Sequence, residues 1–591
     1  MKIHELIIHN WRSIKDTTIL FEKMEIFIGQ NNHGKSNILS ALLFFFGEIE
    51  CADLDYSTGT DDLFVEIDFK DLDEQDKIQF KKYLTREEHI RVRKSSKRNE
   101  TFEYHGYYQI PNEEWLKEEN VGNYLKRDEV ETTPLKDYIP QQGRLSREDI
   151  SNAQASYIKA NKVEVKFNYK LEGNSFLGYK NVAKGIFGRV IYIPAVKDAT
   201  EEFDSKGKSA FSDLLSDVIH EISSTNEEYK KAKEEISKLM RILNHKTEGG
   251  QENDKRPEQI SNFENTINQE LRKWRTTINI DIEVPDIERI LKSGVAVSLD
   301  DGIATDLSRK GNGLQRLLIY IILKSWATTT RTSKLKEGGE NDDNARRKTS
   351  DSNYIIFEEP ELYLHPQSQR ELFDSLKEIS QHNFQVILST HSSSFLDLSY
   401  HKSICKVYKN ENTTGTKISQ FTEELFASSD KERFNLTYWI NPERSELFFA
   451  NKTILVEGAT EKTVIPFLAK TIDKFKFDYT IIDCGGKPNI KSYIHLLNRF
   501  RLPYVATYDI DHQNYKDQDA WNQADIVSRE IEGDIDHSIG NYVTFQNDFE
   551  EEIGITDKNQ KNKPYNALKK VSESNFQISP SLRRKIEIVF E

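Results

Sequence analysis

The sequence predicts an α/β protein of more than one domain. Three observations predict it. Short apolar, β-branched runs alternate with helical patterns, a glycine-rich loop lies between a strand and a helix near the N-terminus, and strands and helices alternate with short joins after residue 440. At 591 residues the chain is too long for one ordinary domain and suggests two to four. Hydrophobic residues make up 37% and charged residues 30%, a soluble globular balance. No apolar run approaches a membrane span, the longest being "SALLFFFG" and "LLIYIILKSWA", so no membrane contact is expected. "MKIHELIIHNWRSIK" is broken early by polar residues and does not read as a signal peptide. Cys51, Cys405 and Cys484 are too few and too scattered for a disulfide framework or a zinc site, and a cytoplasmic location is expected. The formal net charge of −15 speaks against a general basic DNA-binding surface. Nucleic acid would be met by local basic patches, or by metal ions that neutralise acids.

The elements follow in chain order. Residues 3–9, 24–28 and 65–69 read as strands by alternation, and "SNILSALLFFF" reads as a helix. Residues 70–185 mix strands and polar loops without a clear pattern. "GRVIYIPAV" (188–196) reads as a buried strand. Within 208–275, "FSDLLSDVIHEIS" aligns Leu214, Val218 and Ile222 on one helix face. The spacing then predicts a helical hairpin. One arm begins at a capping box from Thr225 to Glu228 and carries Tyr229, Ala232, Ile236, Leu239 and Leu243; the other carries Ile260, Phe263, Ile267, Leu271 and Trp274. Its seams suit packing within the chain or contact with another subunit. The arms are only a few turns long, at about 1.5 Å per residue, far too short for a tethering coiled coil. Residues 328–352 read as a polar surface loop.

"GQNNHGKS" (Gly29 to Ser36) fits G-x-x-x-x-G-K-[ST] between a strand and a helix. The glycines let backbone N–H groups and the helix N-terminus face phosphate oxygens. Lys35 would neutralise the outer phosphates and Ser36 would ligate Mg²⁺. Gly29, Asn32, Gly34 and Asn37 complete the candidate contacts. Downstream, "NYIIFEEPELYLHP" ends a strand at Glu358, which would hold Mg²⁺ through water, and at Glu359, which would polarise the attacking water. "QVILSTHSSSFLD" ends a strand at His391, a candidate contact for the terminal phosphate. "SRKGNGLQR" offers Ser308, Gly311, Gly313 and Gln315 before an apolar helix. These four pieces stand in the order seen in ABC-type ATPases. In that class the signature of one protomer caps the nucleotide of another, so one copy of each implies a homodimer or higher assembly. "NKTI" (451–454) lacks the acid of a guanine-specific motif, which favours ATP.

After residue 440, "KTILVEGATEK", "DYTIIDCGGKPNIKSYIHLLNRF" and "LPYVATYDIDHQN" predict a parallel sheet covered by helices, with function at its carboxyl ends. Glu457 ends the first strand, Glu461 lies one helical turn on, and Asp509 and Asp511 end the third strand on one side. An all-carboxylate cluster without His or Cys suits Mg²⁺ or Mn²⁺. Such a site activates water and stabilises a phosphoryl transition state. Gly485 and Gly486 could approach a phosphate, with Lys487 as a charge stabiliser. Tyr508 points to the opposite face and is a poor nucleophile candidate. Asp548, Glu550 and Glu551 are further acids, and Lys563, Lys569 and Lys570 further cations.

Taken together, the chain resembles the OLD (overcoming lysogenisation defect) family of nucleases, an ABC-type ATPase fused to a Toprim domain. The ATPase resemblance rests on "GQNNHGKSN", "IYIPAVKD", "GNGLQR", "FEEPELYLHP" and "LSTHSSSFLD"; the Toprim resemblance rests on "ILVEGATEK", "CGGKPNI" and "DID". It implies ATPase segments at 1–207 and 281–425, a helical insert at 208–280 that could serve in dimerisation, and a Toprim nuclease domain at 440–591. It implies an ATP-regulated, metal-dependent DNA endonuclease in bacterial anti-phage defence, working alone, with a helicase-like partner as in Gabija systems, or with a retron reverse transcriptase and its DNA. Carried onto matching positions, Glu457, Glu461, Asp509 and Asp511 become metal ligands. Asp548 resembles a further family acid, although "QND" departs from the more acidic family spacing. Lys563 resembles the late family lysine, with two neighbouring lysines competing for that role. A non-catalytic, SMC-like DNA-binding ATPase whose Toprim domain only binds metal or nucleic acid is the alternative, and the four acids argue against it.

Overall fold

The structure, a computed structural model, describes residues 1–591 except 162–163, 180–181, 183, 196–209, 245–252, 254, 281–297, 301, 307–308, 312, 323, 325–349, 382–383, 410–414, 424–443, 514–515 and 557–560. The chain forms two compact units. One comprises Met1–Ile191, Asn341–Glu361 and Gln369–Glu591; the other comprises Tyr192–Glu340 and Leu362–Ser368.

The larger unit holds three sheets. The first is antiparallel, in the order β2 (Ile14–Leu20), β1 (Lys2–Trp11), β4 (Asp62–Lys70), β5 (Ile90–Lys97), β6 (Glu103–Pro111), β7 (Phe167–Leu171). Residues 70–185, unreadable from pattern alone, supply its last three strands. They also form a small helical core of Leu116, Val121, Val130, Leu135 and Ile150. The second sheet runs β14 (Lys417–Gln420), β13 (Ile404–Tyr408), β3 (Met24–Ile28), β12 (Phe384–Thr390), β11 (Asn353–Glu358), β8 (Arg189–Ile193). Its inner strands β13, β3, β12 and β11 are parallel. All five residues of β3 and all seven of β12 are buried, as strands covered on both faces should be. The third sheet, β16 (Tyr479–Asp483), β15 (Lys452–Val456), β17 (Tyr504–Asp509), β18 (Gly540–Phe545), is wholly parallel. Each crossover carries a helix: Ala459–Thr471, Lys487–Arg499 or Gln518–Gly533. Ile454, Val456, Val464, Leu468 and Phe545 form its core with Leu582, Ile586 and Phe590 of the last helix.

Strand alternation in β5 sends Ile90, Val92 and Ser96 inward, and Lys94 with them. The Lys94 ammonium donates to the Phe44 carbonyl and sits 4.2 and 4.1 Å from the Phe44 and Phe102 ring centres. Burial pulls its pKa down to about 7. Below that value the folded state carries a buried charge; between about 7 and the ordinary lysine value the folded state binds fewer protons than the unfolded chain, so stability rises with pH. Lys94→Met is expected to raise the melting temperature at pH 7, by a margin that shrinks toward pH 10 in thermal melts.

In the smaller unit, helices span Ala210–Thr225, Glu227–Leu243 and Glu258–Leu271. The second is capped by Asn226, whose side chain accepts from the Tyr229 N–H, one residue on from the expected Thr225. Asn253 donates to the carbonyls of Arg241, Ile242 and Asn244, each at 3.0 Å, and closes that helix. A buried Arg256–Glu264 pair at 2.6 Å holds the next. Leu239, Phe263 and Trp274, expected on apolar seams, are exposed in this chain. Most of the expected loop 328–352 lies outside the described residues.

Candidate functional site

The first site forms where β3 turns into the helix Lys35–Phe46. Gly34 adopts a left-handed φ of 107°, and a Cβ there would lie 2.3 Å from Thr416 Oγ1. Only glycine fits this close approach. Thr416, more than 380 positions away, donates to the His33 carbonyl at 2.8 Å, and its hydroxyl pairs with Ser13 at 2.7 Å. Asn37 donates to the same Ser13 hydroxyl. The helix has no acid in its first turn, so its positive end stays open to an anion.

Asn32, Gly34, Lys35, Ser36 and Asn37 line a cavity of about 140 Å³ with Glu359 and His391. Three chain-distant motifs therefore meet here. Lys35 Nζ donates to the carbonyls of Gly29 (2.9 Å) and Gln30 (3.1 Å) and meets His391 Nε2 at 2.7 Å. Burial lowers its pKa to about 8, against the pull of Glu359, Glu361 and Glu358. Burial, then Lys35 and His33, lower His391 to about 4, so its ring is neutral and accepts a hydrogen bond from the Lys35 ammonium. Glu359 lies 3.3 Å from His391 and holds a left-handed φ of 45°, a conformation that costs a non-glycine residue about 1–3 kcal/mol and gathers at functional sites. Glu358 ends β11.

Sequence reasoning missed Glu361. Its carboxylate accepts from the His391 N–H (2.5 Å) and the Thr390 hydroxyl (2.8 Å), and so sets the His391 turn. Glu361→Ala strands both donors, at about 1–3 kcal/mol for a buried unsatisfied group. A lower melting temperature and weaker nucleotide binding are expected.

The remaining nucleotide candidates lie in the smaller unit, except Ser308, which is outside the described residues. The Gly311 carbonyl accepts from the N–H groups of Leu314 and Gln315 and starts a helix. A Cβ on Gly313 would lie 2.6 Å from the Tyr363 carbonyl oxygen. Gln315 donates to the Lys310 carbonyl at 2.7 Å.

The second site lies at the carboxyl rim of the third sheet. Glu457 follows β15 and accepts the Asp509 N–H at 2.8 Å. Asp509 ends β17 and accepts the Phe549 N–H at 3.0 Å. Asp548 caps the turn Phe549–Glu552 through the Glu551 N–H (2.9 Å). Gln513 donates to Asp548 (3.0 Å) and Asp511 (3.4 Å). Burial first, and then repulsion from Glu457, Glu461, Asp511 and Asp548, push Asp509 up to about 10. Burial and Asp511 push Glu457 up to about 7; burial, Glu550 and Glu457 push Glu461 up to about 8. Six acids thus act on one another at one rim. They do not contract into a tight shell: among the described residues, the group of three potential ligands within 4.8 Å of one another is His4, Asp68 and His89, on the first sheet.

Of the expected lysines Lys487 reaches this rim, joined by Lys516, which was not expected. Lys563 opens the helix Lys563–Val571 and is exposed. Lys487, buried, donates to the Asp509 carbonyl and to Asp511 at 3.5 Å, and Lys516 pairs with Asp511 at 2.9 Å. Lys516 carried no motif signal; only its five-residue distance from Asp511 hinted at contact. Gly485 and Gly486 do not present free N–H groups, since they donate to Asp483 (2.8 Å) and to the Glu457 carbonyl (2.7 Å). Tyr508 turns its hydroxyl away, to Glu532 at 2.9 Å.

The AAA ATPase domain family matches residues 1–396, and the "Overcoming lysogenization defect protein-like, TOPRIM domain" family matches residues 448–511. The "Old nuclease" of Escherichia phage P2 is 28% identical over 347 residues, 56% of this chain and 55% of that protein. The "OLD nuclease" of Thermus scotoductus (strain ATCC 700910 / SA-01) is 32% identical over 162 residues, 27% of this chain and 30% of that one. "Endonuclease GajA" of Bacillus cereus (strain HuB5-5) is 26% identical over 189 residues, 28% and 27% of the two chains. The chain spans about half the length of the first of these relatives and less than a third of the other two. A solved SmcHead bound to the C-winged helix domain of ScpA covers 71% of this chain and 98% of that one at 13% identity and a TM-score of 0.34, too distant a likeness to bear on function. With an AAA ATPase domain over most of its length and a Toprim domain behind it, the chain belongs to the OLD family of ATPase–Toprim proteins.

Proposed function

We propose that the chain is an ATP-regulated, divalent-metal-dependent DNA endonuclease of anti-phage defence. The observation that carries the reading is the convergence of Glu457, Glu461, Asp509, Asp511 and Asp548 at one rim, where burial and mutual repulsion raise the pKa of the first three. Such a group gains from a cation, and its all-oxygen donors fit Mg²⁺ or Mn²⁺. Bound there, the ion supplies Lewis acidity to phosphodiester hydrolysis. The protein's own part is positioning. Glu457 fixes the end of β17 through the Asp509 N–H, and Lys487 and Lys516 orient Asp511. The same two ammonium groups stand where charge on a cleaved phosphate would be offset.

Nucleotide regulation has a physical route. The Gln30 side chain, in the phosphate loop, donates to Asn451 Oδ1 at 2.8 Å. Asn451 directly precedes β15, which leads to Glu457, and its N–H donates to Asp478 at 2.9 Å. A shift of the loop on binding ATP pulls on the first Toprim strand. One signature segment and one phosphate loop per chain support a homodimer or higher assembly. A helicase-like protein, or a retron reverse transcriptase with its DNA, is the class of partner proposed.

The test is plasmid cleavage by the purified chain with Mg²⁺ or Mn²⁺, with and without ATP. Nicked or linear product that EDTA suppresses is the expected result. A plasmid left intact under every metal and nucleotide condition, by protein that binds both, would favour the non-catalytic DNA-binding ATPase.

A further inference from the structure

A second cavity, of about 590 Å³, lies within the larger unit between the phosphate loop and the Toprim sheet. It is separate from the 140 Å³ nucleotide pocket. Gly29, Gln30 and His33 line it from one side of the loop, whereas Asn32 and Lys35 line the other pocket. Lys406 and Lys409 border it from β13 and just beyond, and Lys452 and Arg501 border it from the Toprim side. Among the described residues, no Asp or Glu lines it, in a chain whose net charge is −15.

Some of these cations are engaged. Arg501 pairs with Asp536 at 2.8 Å, and Lys452 sits 5.4 Å from the Tyr479 ring centre. Lys406 differs. Its residue is 9% exposed, and no hydrogen bond or ion pair to its ammonium occurs among the described residues. Burial alone lowers its pKa, to about 8. The charges of Lys406 and Lys409 also reach the His33 ring and disfavour its protonation. A desolvated ammonium that borders a cavity without an anion gains from one supplied by a ligand. The volume suits a small ligand of nucleotide size, and Tyr408 and Phe449 add ring surface to the lining.

We infer that this cavity is a second anion site, distinct from the phosphate loop, for a free phosphorylated ligand of nucleotide size, with Lys406 and Lys409 as its main cations. A ligand there touches the back of the phosphate loop and the start of β15 together.

Calorimetric titration with ATP, tripolyphosphate and a short single-stranded oligonucleotide tests this on the Lys35→Ala chain, where the phosphate loop is disabled. ATP or tripolyphosphate is expected to bind Lys35→Ala, and adding Lys406→Met or Lys409→Gln should weaken that binding at least ~10-fold. Lys406→Met should melt no lower than its parent, because it removes an unpartnered buried charge; should it not fold, Lys409→Gln carries the test. Absence of binding to Lys35→Ala, binding indifferent to both substitutions, or binding of the oligonucleotide alone overturns the assignment. Since the readout is binding, its failure is separable from failure of the nuclease reading.

Discussion

Asp509→Asn is expected to abolish the proposed metal-dependent DNA cleavage and to make the metal-free protein melt higher. Both outcomes have one cause. Asp509 is 7% exposed and is pressed by four other acids. Asparagine keeps an acceptor for the Phe549 N–H and has nearly the same shape, but carries no charge to bind a cation. Loss of one electrostatic element of this kind costs on the order of 10²–10³-fold in rate. Without metal, Asp509 must take up a proton on folding near neutral pH, and asparagine removes that cost. Metal stabilisation should fade in parallel. An ion at about 100 times its dissociation constant stabilises a fold by about 2.7 kcal/mol, and the upward melting shift on adding Mg²⁺ should shrink in the variant. Cleavage rates and melts with and without Mg²⁺ are the measurements. Full cleavage by Asp509→Asn would remove the acids from the reaction.

Lys35→Ala is expected to leave the proposed cleavage in place and to uncouple it from ATP. The ammonium has three acceptors, the Gly29 and Gln30 carbonyls and His391, and it lines the pocket with His391, where phosphate oxygens would take over its hydrogen bonds. Its loss removes the charge that meets the phosphates, and affinity for ATP at the loop should fall by at least ~100-fold, about 2.7 kcal/mol. Lys35 touches none of the Toprim acids. The ratio of cleavage rates with and without ATP should therefore approach one. A variant still regulated by ATP would place control somewhere other than this loop.

Both sites were legible in the sequence to the extent that their residues sit at the ends of regular elements. Gly34, Lys35, Glu359 and His391 each follow a readable strand, and so do Glu457, Asp509 and Asp511. The supporting residues were not legible. Thr416 closes on Gly34 from a loop nearly 400 residues away, and nothing local marks it. Glu361 sits amid a polar run, and only the fold shows that its carboxylate holds the His391 turn. The lysines were legible in part: Lys487 follows a readable strand end and was expected as a charge stabiliser, whereas Lys516 carries no motif and only backbone geometry brings it to Asp511. Burial of Lys406 depends on how two domains meet, which no periodicity encodes.

Gln30 and Asn451 lie in different domains yet share a hydrogen bond, and this limits how the parts can be exchanged. A chimera that takes its C-terminal half from a relative inherits one end of that bond without the other. Such hybrids should keep both chemistries and lose their communication, unless positions 30 and 451 are transplanted as a pair.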